Sequence, residues 1–226
     1  MFYYDSTMLL IIPVLILAFY AQSKVHGNYK KYSKKQNLAN LTGGEIAREI
    51  LDRKGLTDVN IYPIKGVLTD HYNPAKKTVN LSEDVYYGRS ISSASIAAHE
   101  VGHAIQHATK YYPLVLRTGI LPIAQLGSSA AFPLFLLGLL FSIPIMMDLG
   151  IIFFAGALLF HVVTLPVEYN ASRRAMVELN QGILVSQEEI SGAKAVLNAA
   201  ALTYVASTLM ALMQLIRLVL IRGSRK

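Results

Sequence analysis

The sequence predicts a mainly α-helical, multi-pass membrane protein with a small α+β region outside the bilayer. Of its 226 residues, 53% are hydrophobic and 15% are charged, whereas soluble domains carry about 25% charged residues. Three long runs lack Asp, Glu, Lys and Arg altogether. Short β-rich segments and amphipathic helical segments occupy the more polar part of the chain, which predicts the α+β region.

An apolar N-terminal stretch predicts a membrane anchor over residues 1–21. Tyr3, Tyr4 and Tyr20 flank it at the interfacial positions that aromatic side chains prefer. The alternative is a cleaved signal peptide, which normally begins with a basic segment. Because Asp5 is the only charged residue before the apolar stretch, we expect an uncleaved anchor.

Residues 22–117 predict one small α+β region. Thr42 begins a helix with Glu45 at the third helical position, as in a capping box. The β-rich segments that follow are VNIYPI from Val59, VLTDHY from Val67 and TVNLS from Thr78. Asn73 and Pro74 favour a turn between the last two segments, so we expect a small sheet with an antiparallel hairpin.

The charge-free runs predict the remaining membrane helices, because a spanning helix needs about 20 apolar residues. They cover residues 118–147, 149–167 and 195–216. The first two runs predict a membrane hairpin over 118–167 that turns between Pro144 and Gly150. Residues 168–194 are expected to form a helical segment on the side of the α+β region, and 195–226 a further membrane helix with a basic tail.

The distribution of basic residues predicts the orientation, since loops rich in Lys and Arg stay in the cytoplasm. Five lysines follow the first span, and none precedes it: Lys24, Lys30, Lys31, Lys34 and Lys35. We expect the N-terminus outside and the α+β region in the cytoplasm. A complete crossing by the last segment would place Arg222, Arg225 and Lys226 outside, so the sequence leaves that crossing open.

The net charge of +7 and the isoelectric point near 9.5 are compatible with nucleic-acid binding. The lysines after the first span supply much of this excess, and such clusters fix topology and contact anionic lipids. We therefore expect the lipid bilayer as a partner and no nucleic acid.

The chain has no cysteine, so a metal site must use His, Asp or Glu. His99, Glu100 and His103 form the motif H-E-x-x-H in a segment that predicts a helix capped by a serine among residues 90–93. Side chains four residues apart share one helix face, so both imidazoles can bind one zinc ion while Glu100 handles a water molecule.

A solvated polar helix face is the alternative interpretation of this motif. The neighbouring residues are apolar almost all round the helix: Ile96, Ala97, Ala98, Val101, Ala104 and Ile105. Unpaired His and Glu side chains on a buried helix would be costly, which favours zinc binding.

A catalytic zinc site requires a third protein ligand. His107 lies about 12 Å of helical rise from His99, too far to share one ion. His161 lies in an apolar run, where it is either a functional residue or a buried polar residue that contacts a neighbouring helix. Glu168 ends the charge-free run on the expected side of the motif, although its position alone equally suits a residue that marks the membrane interface.

Several segments resemble the YugP-type membrane zinc metallopeptidases of bacteria. They are AAHEVGHAIQH from Ala97, LTDHYNP from Leu68, VNLSEDVYYG from Val79, LPVEYNASRRA from Leu165 and NAAALTYVA from Asn198. More distantly, an H-E-x-x-H motif followed by two membrane helices and an E-x-x-A segment is similar to the HtpX-type and CAAX-prenyl-type integral membrane gluzincins. The resemblance covers nearly the whole chain.

The resemblance implies a zincin-like α+β region, a bacterial plasma membrane location and Glu168 as the third zinc ligand. The HtpX-type pattern places an acidic residue four positions after that ligand, where it orients a zinc-binding histidine. Here that position is Ser172, with Asn170 nearby, and both are candidates for the orienting role.

We expect an integral membrane zinc endopeptidase with one Zn²⁺ per chain, in which Glu100 is the general base. Protein or peptide substrates at the membrane follow from the site's placement, with membrane protein processing or quality control as the role. Candidate contacts to the substrate or transition state are His71, Arg173 and Arg174. The alternative is a non-catalytic membrane scaffold or regulator with a structural zinc site.

Overall fold

The computed structural model describes residues 6–224, which are mostly helical and include one small sheet. A 3-10 helix, Ser6–Leu10, precedes α1 (Ile12–Tyr32) and α2 (Gly43–Arg53). The strands are β1 (Asn60–Ile64), β2 (His71–Asn73) and β3 (Thr78–Ser82). Helices α3 (Glu83–Tyr86), α4 (Ile91–Ala108), α5 (Tyr112–Leu140), α6 (Pro144–Leu179) and α7 (Gln187–Gly223) follow. The predicted mainly α-helical fold with a small sheet is confirmed.

Among residues 6–224, four helical segments are long and apolar enough to cross a membrane, in agreement with the predicted multi-pass architecture. They are Thr7–Tyr32, Tyr112–Leu140, Pro144–Leu179 and Gln187–Gly223. The last two contain 36 and 37 residues, which gives each a length of about 54 Å against a hydrocarbon core of about 30 Å. Either helix is therefore longer than a single crossing requires, by several turns. Tyr3, Tyr4 and Asp5 of the predicted anchor, and Arg225 and Lys226 of the predicted tail, lie outside the described residues.

The chain divides into two units, of which the first contains the apolar helices. It comprises residues up to 21, 115–166 and those from 203 onward. The hairpin of α5 and α6 turns at residues 141–143, so the prediction of a turn between Pro144 and Gly150 is wrong by a few residues. Proline lacks an N–H and suits the first turn of a helix, and for that reason α6 starts at Pro144.

The far end of α7 lies beside this turn within the first unit. Arg222 donates from Nε to Asp148 Oδ1 at 2.8 Å and from its second guanidinium nitrogen to Oδ2 at 3.2 Å. Leu218 packs with Phe135 and Met147 in the same region. Helix α7 therefore reaches the end of the unit at which the hairpin turns.

The second unit, residues 22–114 and 167–202, contains the sheet. Its strand order is β1-β3-β2, with β1 parallel and β2 antiparallel to β3. The predicted antiparallel hairpin is confirmed, and Asn73 Oδ1 accepts the turn N–H groups of Ala75 and Lys76. Strand β2 is shorter than the predicted VLTDHY segment, since Leu68 adopts a φ of 56°, which no extended strand contains.

Helix α4 forms the centre of the second unit. Apolar side chains surround it from α2, β3 and the ends of α6 and α7, including Ile46, Ile50, Leu51, Val79, Leu81, Leu179 and Leu197. The predicted capping interactions are present: Thr42 and Glu45 form a capping box at α2, and Ser90 Oγ accepts the Ser93 N–H at α4. The Ser90 cap defines where α4 starts, and the surrounding core fixes which face of the helix each side chain occupies.

We expect the Arg222–Asp148 pair to stabilise the first unit, because it joins α6 and α7 through two hydrogen bonds. Asp148→Asn should lower the melting temperature of the detergent-purified chain by a few degrees, equivalent to about 1 kcal/mol. The double exchange Asp148→Arg with Arg222→Asp should recover most of the loss, whereas each single exchange should not. Wild-type melting of both single exchanges would show that the pair contributes nothing.

Candidate metal centre

Helix α4 presents His99 and His103 one turn apart on the same face. Their ring centroids are 4.8 Å apart and the ring planes are nearly perpendicular. Both side chains are nearly buried, with 12% and 11% of their surface exposed. Glu100 is buried beside them on the same helix. A solvated polar face, the alternative interpretation of the motif, does not describe this environment.

Glu168, about two-thirds of the way along α6, completes a convergent group of three. Its Oε2 lies 3.3 Å from His99 Nε2 and 3.5 Å from His103 Nε2. The carboxylate is only 3% exposed. Among the described residues, this group has one ligand atom from each member within 4.8 Å of the others.

The donor set and its spacing fit a zinc ion. Zinc binds imidazole nitrogens and carboxylate oxygens at about 2.0–2.2 Å, so tetrahedral donors around one ion lie about 3.3–3.5 Å apart. The two nitrogen-to-oxygen distances in the structure, 3.3 and 3.5 Å, match this separation. Two imidazoles and one carboxylate leave a fourth tetrahedral position open.

A glycine permits the helix approach that brings these groups together. A Cβ on Gly102 would lie 2.6 Å from the carbonyl oxygen of Ala171, a distance that real Cβ atoms do not adopt. The backbones of α4 and α6 are thus in direct contact at Gly102 and Ala171, close in sequence to His103 and Glu168. Any larger residue at this position must push the helices apart.

Hydrogen bonds from the outer ring nitrogens orient both imidazoles. His99 Nδ1 lies 3.2 Å from Ser172 Oγ, and His103 Nδ1 lies 3.0 Å from Gln106 Oε1. Gln106 Nε2 donates in turn to Asn170 Oδ1 at 3.0 Å. In both histidines these contacts leave Nε2 facing Glu168.

Gln106 is the residue that the sequence analysis missed. It is wholly buried and contacts His103 directly. The available signal was a long amide side chain three residues after a predicted ligand, among neighbours that are mostly apolar. Its partners on α6 are more than 60 positions away in the chain, so the sequence alone did not reveal them.

The electrostatics of the group reflect its burial. Burial raises the pKa of Glu100, and the neighbouring histidines offset part of this effect. Burial by itself would lower the pKa of His103, but the hydrogen bond and charge of Glu168, together with the charge of Glu100, raise it. Two buried carboxylates and two imidazoles thus share one small volume.

The three predicted contacts to the substrate or transition state, His71, Arg173 and Arg174, differ in their surroundings. His71 is exposed on β2, with its ring nitrogens near Thr69 O and Asn80 Nδ2. Arg173 is exposed on α6, whereas Arg174 donates from Nε to Asn170 Oδ1 at 2.7 Å.

His107 and His161 do not belong to the convergent group found among residues 6–224. His107 Nδ1 lies 2.8 Å from the hydroxyl of Tyr72, within the second unit. His161 belongs to the first unit, where its carbonyl oxygen accepts a hydrogen bond from Thr208. His107 therefore contacts Tyr72 and His161 contacts Thr208, and neither histidine joins the group formed by His99, His103 and Glu168.

Gly102→Ala should separate α4 from α6 and weaken metal binding. Overpacking of this kind costs about 1–3 kcal/mol, and we expect at least a tenfold loss of divalent-metal affinity, measured by chelator competition on the purified chain. Gly27→Ala on α1 is the matched control, since its Cβ would have no neighbour within 4 Å. Wild-type affinity in Gly102→Ala would show that the helix contact does not set the group's geometry.

Comparisons with known proteins agree with this geometry and with the resemblance noted above. The chain is 50% identical over 213 residues to the "putative membrane protease YugP" of Bacillus subtilis (strain 168), covering 94% of each chain. No solved structure is significantly similar. Residues 7–223 match the family model described as "putative neutral zinc metallopeptidase". The protein that carries the buried H-E-x-x-H helix therefore belongs to this zinc metallopeptidase family.

Proposed function

We propose that this chain is an integral membrane zinc-dependent endopeptidase of the gluzincin type, with one Zn²⁺ held by His99, His103 and Glu168. The carrying observation is the convergence of two imidazole Nε2 atoms on one carboxylate oxygen, at 3.3 and 3.5 Å. A second buried carboxyl group, that of Glu100, adjoins the three without belonging to the convergent group. Three ligands and an adjacent acid are what metal-assisted peptide hydrolysis requires.

Glu100 is the proposed general base. When bound, zinc supplies a Lewis acid that polarises the peptide carbonyl and makes a water molecule more acidic. Glu100 takes the proton from the attacking water and delivers it to the nitrogen of the leaving amine. Burial, which raises the pKa of this carboxyl group, makes it a stronger base than an exposed glutamate.

Strand β2 is the proposed docking edge for an extended substrate. It pairs on one side with β3 and stands at the end of the strand order. A peptide can add to such an edge through backbone hydrogen bonds. His71 on this strand is exposed, as is Arg173 on α6, so both side chains are accessible for substrate contacts.

A structural zinc site in a membrane scaffold or regulator is the competing function. Structural sites close all four positions with protein ligands. The convergent group found among the described residues has three members, which supports catalysis over the structural alternative. A fourth protein ligand in the metal-loaded chain, seen by X-ray absorption spectroscopy, would favour the scaffold instead.

The region with the metal group is proposed to face the cytoplasm of a bacterial plasma membrane. The lysines that follow the first apolar segment support this orientation. The domain scheme proposed with it has an anchor at 1–21, an α+β region at 22–117, a membrane hairpin at 118–167, a helical segment at 168–194 and a last membrane helix with a basic tail at 195–226. Membrane-associated proteins or peptides are the proposed substrates, and membrane protein processing or quality control the proposed role.

Separate substitutions should distinguish the roles of the two buried glutamates. We expect Glu100→Gln to retain one zinc per chain and to lose at least about 100-fold in peptide hydrolysis. Glu168→Ala should lose the zinc itself, measured by metal analysis after purification. Glu49→Gln, an exposed acid on α2, is the control and should retain both properties. Wild-type hydrolysis by zinc-loaded Glu100→Gln, or equally tight zinc in folded Glu168→Ala, would contradict the assignment.

The absence of native cysteine makes a direct test of orientation available. Lys76→Cys places a thiol in the exposed β2–β3 turn, and Ser142→Cys places one in the hairpin turn of the first unit. In intact cells, a membrane-impermeant maleimide should label Ser142→Cys and spare Lys76→Cys. Permeabilised cells should label both variants. The reverse pattern in intact cells would place the metal group outside.

A further inference from the structure

Gln106 connects the metal group to a chain of polar side chains on α6. It is completely buried, and its two side-chain polar atoms both have partners. Oε1 faces His103 Nδ1 at 3.0 Å. Nε2 faces the carbonyl oxygen of Val167 at 2.8 Å and Asn170 Oδ1 at 3.0 Å.

Only one direction of hydrogen bonding satisfies this chain. Arg174 can only donate, so the Asn170 atom that receives its Nε at 2.7 Å is the amide oxygen. That oxygen then requires a donor from Gln106. The carbonyl of Val167 also can only accept, and it independently demands the NH₂ group of Gln106 at the same place.

The direction of these bonds fixes the tautomer of His103. With the NH₂ group of Gln106 turned towards α6, its Oε1 is the atom that faces the imidazole and can only accept. His103 Nδ1 must therefore carry a proton, and in the neutral ring Nε2 then keeps its lone pair towards Glu168, from which it is 3.5 Å away. A histidine binds a metal through such an unprotonated nitrogen.

We propose that Arg174, Asn170 and Gln106 form a relay of positioning residues that holds His103 in the tautomer and orientation needed for zinc binding. The proposal rests on the function proposed above, in which His103 is a zinc ligand. It assigns Arg174 to the relay rather than to the substrate or transition state. His99 differs, because its partner is the hydroxyl of Ser172, which can donate or accept and so imposes no tautomer.

The relay also joins the two helices that supply the ligands. Gln106 leaves α4 one turn after His103 and bonds the carbonyl of Val167, the residue before Glu168. The Gln106 side chain thus orients the ring of His103 and also holds the backbone next to Glu168. Loss of its hydrogen bonds should affect metal affinity more than overall stability, because its volume can be replaced by an apolar side chain.

Zinc affinity of the full-length purified chain, measured by chelator competition, tests the relay. Gln106→Met keeps the length of the side chain and removes every hydrogen bond, so we expect a 10–100-fold loss of affinity. Asn170→Leu should lose about tenfold, whereas Asn170→Asp keeps an oxygen for Arg174 and should bind more tightly than Asn170→Leu. Gln181→Met, at an exposed glutamine in the turn after α6, is the control and should match the wild type.

A spectroscopic readout separates positioning from mere packing. In chain labelled with ¹⁵N-histidine, the zinc-loaded wild type should show His103 with a protonated Nδ1, identified as the signal missing from His103→Gln. Folded Gln106→Met or Asn170→Leu with wild-type zinc affinity would overturn the relay, as would a protonated Nε2 on His103. A wild-type chain that binds no zinc would overturn the proposed function, and the relay with it.

Discussion

The close contact of α4 and α6 is the constraint on which the metal group depends. Glu168 lies 69 positions after His99 in the chain, and only direct contact of the two helix backbones brings its carboxylate within 3.3 Å of the imidazole. Gly102 makes that contact because it lacks the Cβ that Ala171 O would exclude. A substitution with no polar atom of its own can thus abolish a polar site.

Burial explains why the group should attract a cation. Glu100, His103 and Glu168 are all buried within an apolar core, where an ionised carboxylate loses the stabilisation that water provides. Two carboxylates in one volume also repel each other, and the two imidazoles offset this repulsion only in part. A divalent ion bound here would supply positive charge close to both carboxylates. A bound cation offsets the unfavourable free energy of burying these carboxylates. This is the physical basis for interpreting the group as a metal site.

The sequence predicted those features that depend on short spacings. These features are all local: the i, i+4 spacing of His99 and His103, the Thr42–Glu45 capping box and the lengths of the apolar spans. Gln106 escaped notice because its partners on α6 lie 61 and 64 positions away. The pairing of Arg222 with Asp148 joins residues 74 positions apart, and it could not be inferred from either segment alone.

The chemistry of the orienting partners bears on the proposed reaction. A carboxylate behind a zinc-bound imidazole makes the ring a stronger donor and adds negative charge near the metal. Here a hydroxyl and an amide occupy those places, at Ser172 and Gln106, and both are neutral. In the proposed site Glu168 would then be the single anionic ligand, and a bound ion would keep more of its positive charge for a substrate carbonyl. In the proposed relay, the direction of the Gln106 hydrogen bonds orients His103 without a charged group, and a bound ion would keep its full strength as a Lewis acid.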